Sequence, residues 1–447
     1  MKKVLLAMFM TFVMLLTACS GGANNASEPP GTKADNASGE TAQKEAEPAN
    51  NESAATENVT IKYANFSASG DNETLLAKMK EEFEKQHPNI KVEIETIGYD
   101  EYFTQLQTRV AGGNAPDAYE LNYENFVAYA KKGVLRELTP YVESSGADLS
   151  VLNENALNAF RSDGTQYGLP NSFSNVVLFY NKDLFDQAGV AYPTSEWTWQ
   201  DEQAAAEKIR ALGDDIYGIF HPVQFWEFYK VVQQNGGSLM SADGKQFTVN
   251  TPENVETLQF MADRILKTNV MPSDAQMAGM GDWDLFKSGK LGMLVTGIWA
   301  FPDFEKNVTF NWDVAVEPGM KRKATHFFSN GVVINQESKH PEAAFEWIRF
   351  LSSSKEAAKI RVEAGWELPA SNYSDVLDMY LQKTPPENKE AVFESLNHLV
   401  TPPVVEQNAE MTDILNQYLQ KAKEGAATPA EALESAQKEL EAKIKLE

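Results

Sequence analysis

Two tryptophans stand in sequence contexts that favour contact with a ligand. Trp299 lies in the segment Gly297–Pro302, which directly follows the predicted strand Gly292–Thr296, and Trp226 lies two residues after Gln224. A tryptophan at the end of a strand offers a flat apolar face and an indole N–H that donates a hydrogen bond. These two properties match a sugar ring, which has an apolar C–H face and a rim of hydroxyls. The sequence therefore predicts carbohydrate contacts at Trp299 and Trp226, with packing in the core as the alternative.

The sequence lacks the common signatures of catalysis. It contains no nucleophile elbow, no zinc-protease His-Glu-x-x-His, no phosphate-binding loop and no dinucleotide fingerprint. Asp282 and Asp284 flank Trp283, as paired glycosidase acids could, but a turn or helix cap before Leu285 is favoured. The histidines are scattered along the chain, and His326 is predicted to lie at the surface, with an approach to a site as the alternative. An enzymatic reading would require two carboxylates facing each other across a cleft.

Length, charge and cysteine content narrow the class of protein. The chain has 447 residues, a net charge of −25 and 43% hydrophobic residues. It is long enough for two or three domains or one large bilobed unit, and it can bury a large core. The acidic balance argues against nucleic-acid binding, which needs a basic footprint. A single Cys excludes an intrachain disulfide and a thiolate cluster for zinc or iron–sulfur.

The N-terminal residues predict export and lipid attachment. Lys2 and Lys3 precede a thirteen-residue segment, residues 4–16, that is apolar apart from one Thr, which suits a signal peptide better than a membrane span. Leu-Thr-Ala-Cys at residues 16–19 resembles a bacterial lipobox, in which the Cys is lipidated. We expect residues 1–18 to be a signal peptide and Cys19 to anchor the protein outside the cell membrane. An ordinary signal peptide with an incidental Cys is the alternative.

Residues 19–58 are predicted to form a disordered tether. The stretch contains no aromatic residue and is dominated by Ala, Asn, Glu, Ser, Gly and Pro. Such a composition cannot bury enough apolar surface to offset the entropy of ordering. The tether would let a folded body reach away from the membrane.

The folded body is predicted to begin with a strand, a helix and a second strand. Alternating apolar residues over residues 59–63 and 92–96 predict the strands. Leu75, Met79 and Phe83 share a helix face, and Asp71 or Asn72 is expected to cap that helix. A βαβ unit implies parallel strands, and ligands of such sheets bind beyond the carboxyl ends of the strands. Residues 65–71 are therefore a predicted site, and its polar members are Asn65 and Asp71.

The rest of the chain alternates short strands with longer helices. Strands are predicted near residues 176–180, 291–296 and 332–335, and a helix is predicted over residues 341–351. The C-terminal helix is predicted to begin with a capping box formed by Thr428 and Glu431.

Several segments, taken in order, resemble family 1 of the extracellular solute-binding proteins, which serve bacterial sugar ABC transporters of the maltose and multiple-sugar type. The resemblance covers about residue 59 to the C-terminus. The segments are Leu106–Asp117, Gly133–Tyr141, Tyr167–Pro170, Leu178–Phe185, Gly297–Ala300 and Ser338–Ala344.

The resemblance implies an α/β fold of the periplasmic-binding-protein type II, with two lobes joined by several crossing segments. Crossings are expected near residues 170–175 and 325–330, and again beyond Trp366. The predicted divisions are 59–171 and 326–370 for the first lobe, 172–325 for the second, and 371–447 for a C-terminal helical region. A protein of this kind closes on its ligand by a hinge motion and then docks on a permease. We expect a monomer without cofactor or metal.

The resemblance also implies contact residues. In the first lobe, the implied contact residues follow two of the strands. At the first crossing the sequence has no carboxylate, although family members that bind maltodextrins often carry a polar or carboxylate ligand there. The expected contacts are Asn65, Asp71, Asn122, Tyr123, Phe173, Ser174, Gln224, Trp226, Trp299, Asn330 and Trp366. For Asn330 a left-handed turn is the alternative, and for Trp366 packing in the core is the alternative. Two other functions stay open. One is binding of a different small polar solute such as a polyol, and the other is a surface-tethered glycoside hydrolase.

Overall fold

The computed structural model describes residues 58–446. The predicted signal peptide, the lipidation site Cys19 and all but the last residue of the predicted tether lie outside the described residues. The strands are Val59–Asn65 (β1), Ile90–Thr96 (β2), Ala118–Asn122 (β3), Arg161–Ser162 (β4), Thr165–Gln166 (β5), Gly168–Asn181 (β6), Tyr217–Phe220 (β7), Leu291–Gly297 (β8), Trp312–Ala315 (β9), Thr325–Ile334 (β10), Leu368–Pro369 (β11) and Leu399–Val400 (β12).

Helices alternate with these strands and outnumber them toward the C-terminus. They are Glu73–Gln86 (α1), Tyr99–Ala111 (α2), Tyr123–Lys131 (α3), Thr139–Ser145 (α4), Glu154–Asn158 (α5), Lys182–Ala188 (α6), Trp199–Arg210 (α7), Phe225–Gln234 (α8), Pro252–Leu266 (α9), Asp274–Met277 (α10), Asp282–Lys287 (α11), Phe301–Asn307 (α12), Pro341–Ser353 (α13), Lys355–Ala364 (α14), Ser374–Gln382 (α15), Glu390–Ser395 (α16), Asn408–Lys423 (α17) and Pro429–Lys443 (α18). Within residues 58–446, every helix is too short or too polar to cross a bilayer.

The predicted βαβ unit is confirmed. β1 pairs in parallel with β2 along its whole length, and β3 joins β1 on the other side, also in parallel. Asn72, one of the two predicted caps, stands at the N-cap position of α1, but its side chain makes no capping hydrogen bond. The chain instead enters α1 through a 3-10 turn over Gly70–Asn72. The buried face of α1 carries Leu76 with Met79 and Phe83, while Leu75 is half-buried.

Two long strands carry the chain between the halves of the molecule. The sheet order is β2-β1-β3-β10-β6-β8-β7, with β10 antiparallel to both β3 and β6. The first half of β6 pairs with β10, and its second half pairs with β8 and β9. β11 adds a third crossing segment against Phe173 and Ser172 of β6. We call the side containing β1, β2 and β3 the first lobe, and the side containing β7, β8 and β9 the second lobe.

The C-terminal helices pack on the second lobe. Thr428 and Glu431 form the predicted capping box of α18. Leu433, Ala436 and Leu440 lie on the buried face of this helix. These side chains join one hydrophobic core with residues of α8, α9 and α17. The far C-terminus is therefore a structural part of the second lobe. The predicted division of the chain into lobes by residue number stays a prediction.

Candidate ligand-binding cleft

A cavity of about 240 Å³ opens between the lobes, beside the crossing strands β6 and β10. We call it the inner cavity. The first lobe contributes residues from α2 and the start of α3, and the second lobe contributes α8, α11 and the end of β8. Its lining consists of Tyr99, Asn122, Glu124, Val176, Pro222, Gln224, Trp226, Glu227, Asp282, Val295, Thr296, Gly297, Trp299 and Phe328. Four of the predicted contacts lie here together, namely Asn122, Gln224, Trp226 and Trp299.

Aromatic side chains form one wall of the inner cavity. Trp299 stands in the short 3-10 turn after β8, and its ring meets Phe328 edge-on at 5.1 Å between centroids. Trp226 stands in the first turn of α8, with its ring 6.5 Å from that of Phe328. Both tryptophans are half-buried, so part of each indole stays open to the cavity. An open aromatic face of this kind suits an apolar C–H surface.

A close packing contact holds the Trp299 ring in place. A Cβ atom built on Gly297 would lie 1.8–2.1 Å from three atoms of the Trp299 ring. The absence of a side chain at Gly297 therefore makes the orientation of Trp299 possible. Sequence reasoning placed Trp299 correctly after a strand, but it gave no role to Gly297.

The buried carboxyl of Glu124 also faces the inner cavity, and sequence reasoning missed it. Glu124 lies in the first turn of α3, two residues after Asn122, whose side-chain oxygen caps that helix. Burial in low dielectric raises the pKa of Glu124 to about 7. Its Oε1 atom has no hydrogen-bond partner, and it lies 3.7 Å from Nε2 of His326. The unpartnered oxygen is itself buried, so it adds to the desolvation of the carboxyl.

His326 corrects a prediction made from the sequence. We expected a surface residue, but His326 is fully buried in β10, because its ring packs between Tyr229, Trp226 and Phe328. Its Nδ1 atom hydrogen-bonds the hydroxyl of Tyr229. Burial, together with the positive charge of Lys230, lowers its pKa well below the usual value. The imidazole is therefore neutral near pH 7 and supports the aromatic wall.

Beneath the cavity lies a network of buried charges. Lys230 places its ammonium 2.6 Å from a carboxylate oxygen of Glu227 and 2.6 Å from one of Glu317. His221 lies 3.1 Å from Glu227. The donor atoms of His221, Glu227 and Glu317 come within 4.8 Å of one another, close enough to suggest metal ligation. Lys230 already supplies the positive charge between the two carboxylates, so the geometry is that of an ion network.

The other predicted contacts lie outside the inner cavity. Asn65 is buried and closes the turn after β1 by accepting a hydrogen bond from the N–H of Ala68. Asp71 is exposed, with Lys306 of the second lobe 3.7 Å away. Tyr123 lines a separate cavity of about 570 Å³ that includes Asn155.

The predicted contacts on the crossing segments are held by the sheet or the core. Phe173 and Ser174 are buried within β6. Asn330 of β10 is half-buried and pairs with Asn122 across the ladder. For Trp366 the alternatives were capping of the cleft and packing, and the structure shows packing, because the residue is 4% exposed and its ring lies under the guanidinium of Arg361, at 4.2 Å. It therefore has no open face for a ligand in this conformation.

Tyr99 is another lining residue that the sequence did not indicate. Its ring is 52% exposed at the start of α2, and it meets Phe66 and Phe103 edge-on at 5.5 Å. It stands in the first lobe, whereas Trp226 and Trp299 belong to the second. Aromatic surfaces therefore line the inner cavity from both lobes.

Comparison with known sequences identifies the family. Residues 67–358 match the family described as bacterial extracellular solute-binding protein. The chain belongs to this family. A curated relative is the arabinooligosaccharide-binding protein of Bacillus subtilis, 26% identical over 305 residues, which cover 65% of this chain and 69% of the relative.

Solved structures agree with this assignment. An ABC substrate-binding protein of Listeria monocytogenes in complex with cycloalternan is 49% identical, with a TM-score of 0.82, and the match covers 86% of this chain and 98% of that one. The GacH receptor of Streptomyces glaucescens, solved unliganded and with acarbose, is 22% identical, with a TM-score of 0.75 over 86% of this solute-binding protein and 97% of the receptor. The latter likeness shows the fold alone. The predicted type II fold of two α/β lobes around a cleft is confirmed.

Proposed function

We propose that this solute-binding protein captures an oligosaccharide between its lobes and delivers it to an ABC permease. The observation that carries the proposal is the inner cavity, where Trp226 and Trp299 offer apolar faces beside the polar groups of Asn122 and Gln224. Such a pattern matches a sugar, because flat C–H faces and hydroxyl rims are met by aromatic and amide groups respectively. The Listeria relative, 49% identical and solved with cycloalternan, supports the same ligand class.

Hinge closure would supply the signal for transport. Tyr99 and Asn122 come from the first lobe, and Gln224 and Trp299 come from the second, so one ligand would contact both. A ligand that binds the closed state better than the open state shifts the population toward the closed state. The closed protein, as a monomer, would then dock on the permease and release the sugar without breaking a bond.

Hydrolysis is the second candidate, because carboxylates do line the cavity. Glu124 comes from the first lobe, while Glu227 and Asp282 come from the second. Glu227 is paired with Lys230 and is not free to act as an acid. The family relatives are named as binding proteins. Both observations favour capture over catalysis, and product analysis separates the two.

The first experiment measures thermal unfolding of the purified protein with a sugar panel that includes cycloalternan, arabinooligosaccharides, maltose and a polyol. A ligand that binds only the native state stabilises it by about 2.7 kcal/mol at a hundredfold excess over Kd. We expect the oligosaccharides to raise the unfolding midpoint, with no new product detected by chromatography. A response to the polyol alone would favour a smaller solute, and the appearance of product would favour the hydrolase. A flat panel, with protein freed of carried-over ligand, would contradict the proposal.

The packing at Gly297 gives a direct test of the aromatic wall. Gly297→Ala is expected to weaken oligosaccharide binding at least tenfold, because the added Cβ displaces the Trp299 ring. The backbone φ of Gly297 is −85°, which alanine adopts without strain, so the fold should be kept. Gly98→Ala is the control, since a Cβ there meets no atom within 4 Å. Calorimetric titration of both variants makes the comparison, and equal affinities would contradict a role for Trp299.

We also propose that the protein is held at the outer face of a Gram-positive cell membrane through a lipid on Cys19. The support is the sequence alone, since Cys19 is the single Cys and follows a signal-like apolar segment. Cys19→Ser is expected to move the protein from the membrane fraction to the medium and to abolish labelling by a fatty-acid analogue. A variant that stays membrane-bound would contradict lipid anchoring.

A further inference from the structure

A larger hollow adjoins the inner cavity on its second-lobe side. This outer hollow has a volume of about 670 Å³, and it shares Pro222, Gln224 and Asp282 with the inner cavity. The two spaces therefore lie side by side, with these three residues between them. Small-molecule sites typically measure ~300–1,000 Å³. The inner cavity alone falls below that range, so most of the room for a ligand lies in the outer hollow.

One wall of the outer hollow is a rigid helix with polar side chains. Asn416, Gln420 and Lys423 of α17 line it at spacings of four and three residues, which place them on one helix face. The opposite face of α17 is fixed by burial of Met411, Leu415 and other apolar residues in the second-lobe core. Positions on a helix anchored in this way are held precisely, as a binding site requires.

The rest of the lining includes the thioether of Met280 and the carboxyl groups of Asp274 and Asp282. Met280 is 46% exposed between Gly279 and Gly281, and it presents an apolar surface at the mouth of the hollow. Asp274 accepts hydrogen bonds from Gln420 at 2.9 Å and Lys423 at 2.5 Å. The hollow therefore combines an apolar surface with a line of donors and acceptors, which a hydroxylated chain can share, since each hydroxyl both donates and accepts.

The charges of the outer hollow select against an anionic ligand. Asp274 and Asp282 line it with one cation, Lys423, which is already paired with Asp274. Partial burial raises the pKa of Asp282, and no cation is among the causes acting on that group. A carboxylate or phosphate on the ligand would meet an unfavourable potential, whereas a neutral hydroxylated chain would not.

We propose that the outer hollow binds the further sugar units of an uncharged oligosaccharide whose first units occupy the inner cavity. This inference rests on the proposed function and narrows it. It makes the C-terminal helix α17 part of the ligand site. Affinity should then depend on the number of sugar units, because a short sugar reaches only the inner cavity.

The test fills the outer hollow from α17. Gln420→Trp places a large ring in the hollow, and Gln417→Trp, on the exposed side of the same helix, is the matched control. The probes are cycloalternan and the disaccharides produced by its partial hydrolysis, titrated by calorimetry. We expect wild type to bind cycloalternan at least tenfold more tightly than the disaccharides. Gln420→Trp should weaken cycloalternan binding at least tenfold and leave disaccharide binding within twofold, while Gln417→Trp should change neither.

The outcomes separate this inference from the function on which it rests. If Gln420→Trp binds cycloalternan as wild type does, or if wild type binds a disaccharide equally tightly, the outer hollow is not part of the site although the protein still captures sugars. If neither cycloalternan nor any disaccharide binds wild type, the inference fails, and a flat response across the wider sugar panel would remove the proposed function as well.

Discussion

Replacing Lys230 by Met is expected to lower the free energy of unfolding by about 3–5 kcal/mol, the usual cost of leaving buried charges without their partner. Lys230 is completely buried and lies 2.6 Å from oxygens of both Glu227 and Glu317. Burial alone would lower the pKa of Lys230, but the two carboxylates outweigh it and raise the pKa. Methionine has nearly the same shape without the charge. Urea unfolding at pH 7 measures the loss.

The control for this prediction is an exposed lysine with one carboxylate partner. Lys438 pairs with Glu434 one helical turn away, and the Lys438 side chain is 71% exposed. Lys438→Met should cost less than about 1 kcal/mol, as surface ion pairs do. Adding Glu317→Gln to Lys230→Met should recover part of the loss, because it removes one unpaired buried charge. A cost at Lys230 no larger than at Lys438 would contradict the network.

The same network links stability to the ligand site. Glu227 and Lys230 lie on α8, the helix whose first turn presents Trp226 to the inner cavity. Glu317 lies beyond β9, and Gln234 at the end of α8 donates a hydrogen bond to it at 2.8 Å. The buried ions therefore fix where α8 stands relative to the sheet. Such preorganisation of a supporting shell is what keeps a binding side chain in position.

Local patterns in the sequence were enough for the first elements of the fold. Alternation over residues 59–63 and the helical spacing of Met79 and Phe83 are short-range signals, and they correctly gave β1, α1 and β2. The capping box of Thr428 is equally local. Asn72 was correctly placed at the N-cap of α1, but its side chain makes no capping hydrogen bond, because the preceding 3-10 turn leaves its backbone helical, not extended.

The lining of the inner cavity was only partly accessible from the sequence. Trp226 and Trp299 stand beside turns at strand or helix ends, and both line the inner cavity, while their contact with a ligand stays a prediction. Trp366 has the same context, with Gly365 before it, yet it is buried beneath Arg361. Trp366 therefore shares with Trp226 and Trp299 both the residue type and a neighbouring turn, and these local features do not distinguish an open ring from a buried one. Only the packing of α14 against the sheet decides which face is covered.

The burial of Glu124 and the position of α17 could not be predicted from local sequence patterns. An acidic residue in the first turn of a helix is ordinarily a solvated group that favours the helix dipole, and Glu124 has that position in α3. Its burial comes from β10 and the second lobe, which are distant in sequence. No contact residue was predicted in α17, whereas Asn416, Gln420 and Lys423 of this helix line the outer hollow. Its place beside Asp274 is a tertiary fact.

Glu124→Gln is expected to be more stable than wild type at pH 8. The difference in unfolding free energy between the variant and wild type should be about 3 kcal/mol larger, in favour of the variant, at pH 8 than at pH 4. The folded protein holds the pKa of Glu124 at about 7, against an ordinary value of 4.5. Below pH 4.5 the carboxyl is protonated in both states. Between pH 4.5 and 7 only the unfolded chain ionises, so wild type loses stability at about 1.4 kcal/mol per pH unit. Glutamine is neutral in both states and avoids this loss.

The opposite trend is expected at Glu431, which makes it the control. The backbone N–H and the hydroxyl of Thr428 lower the pKa of Glu431, so ionisation of that carboxyl stabilises the fold as pH rises. Glu431→Gln should therefore fall behind wild type between pH 4 and 8, while Glu124→Gln gains on it. Urea unfolding of ligand-free protein at both pH values gives each difference, in which the other titrating groups cancel. Parallel pH profiles for wild type and Glu124→Gln would contradict the prediction. They would mean that the Glu124 carboxyl is solvated and that its pKa is not raised by burial beside His326.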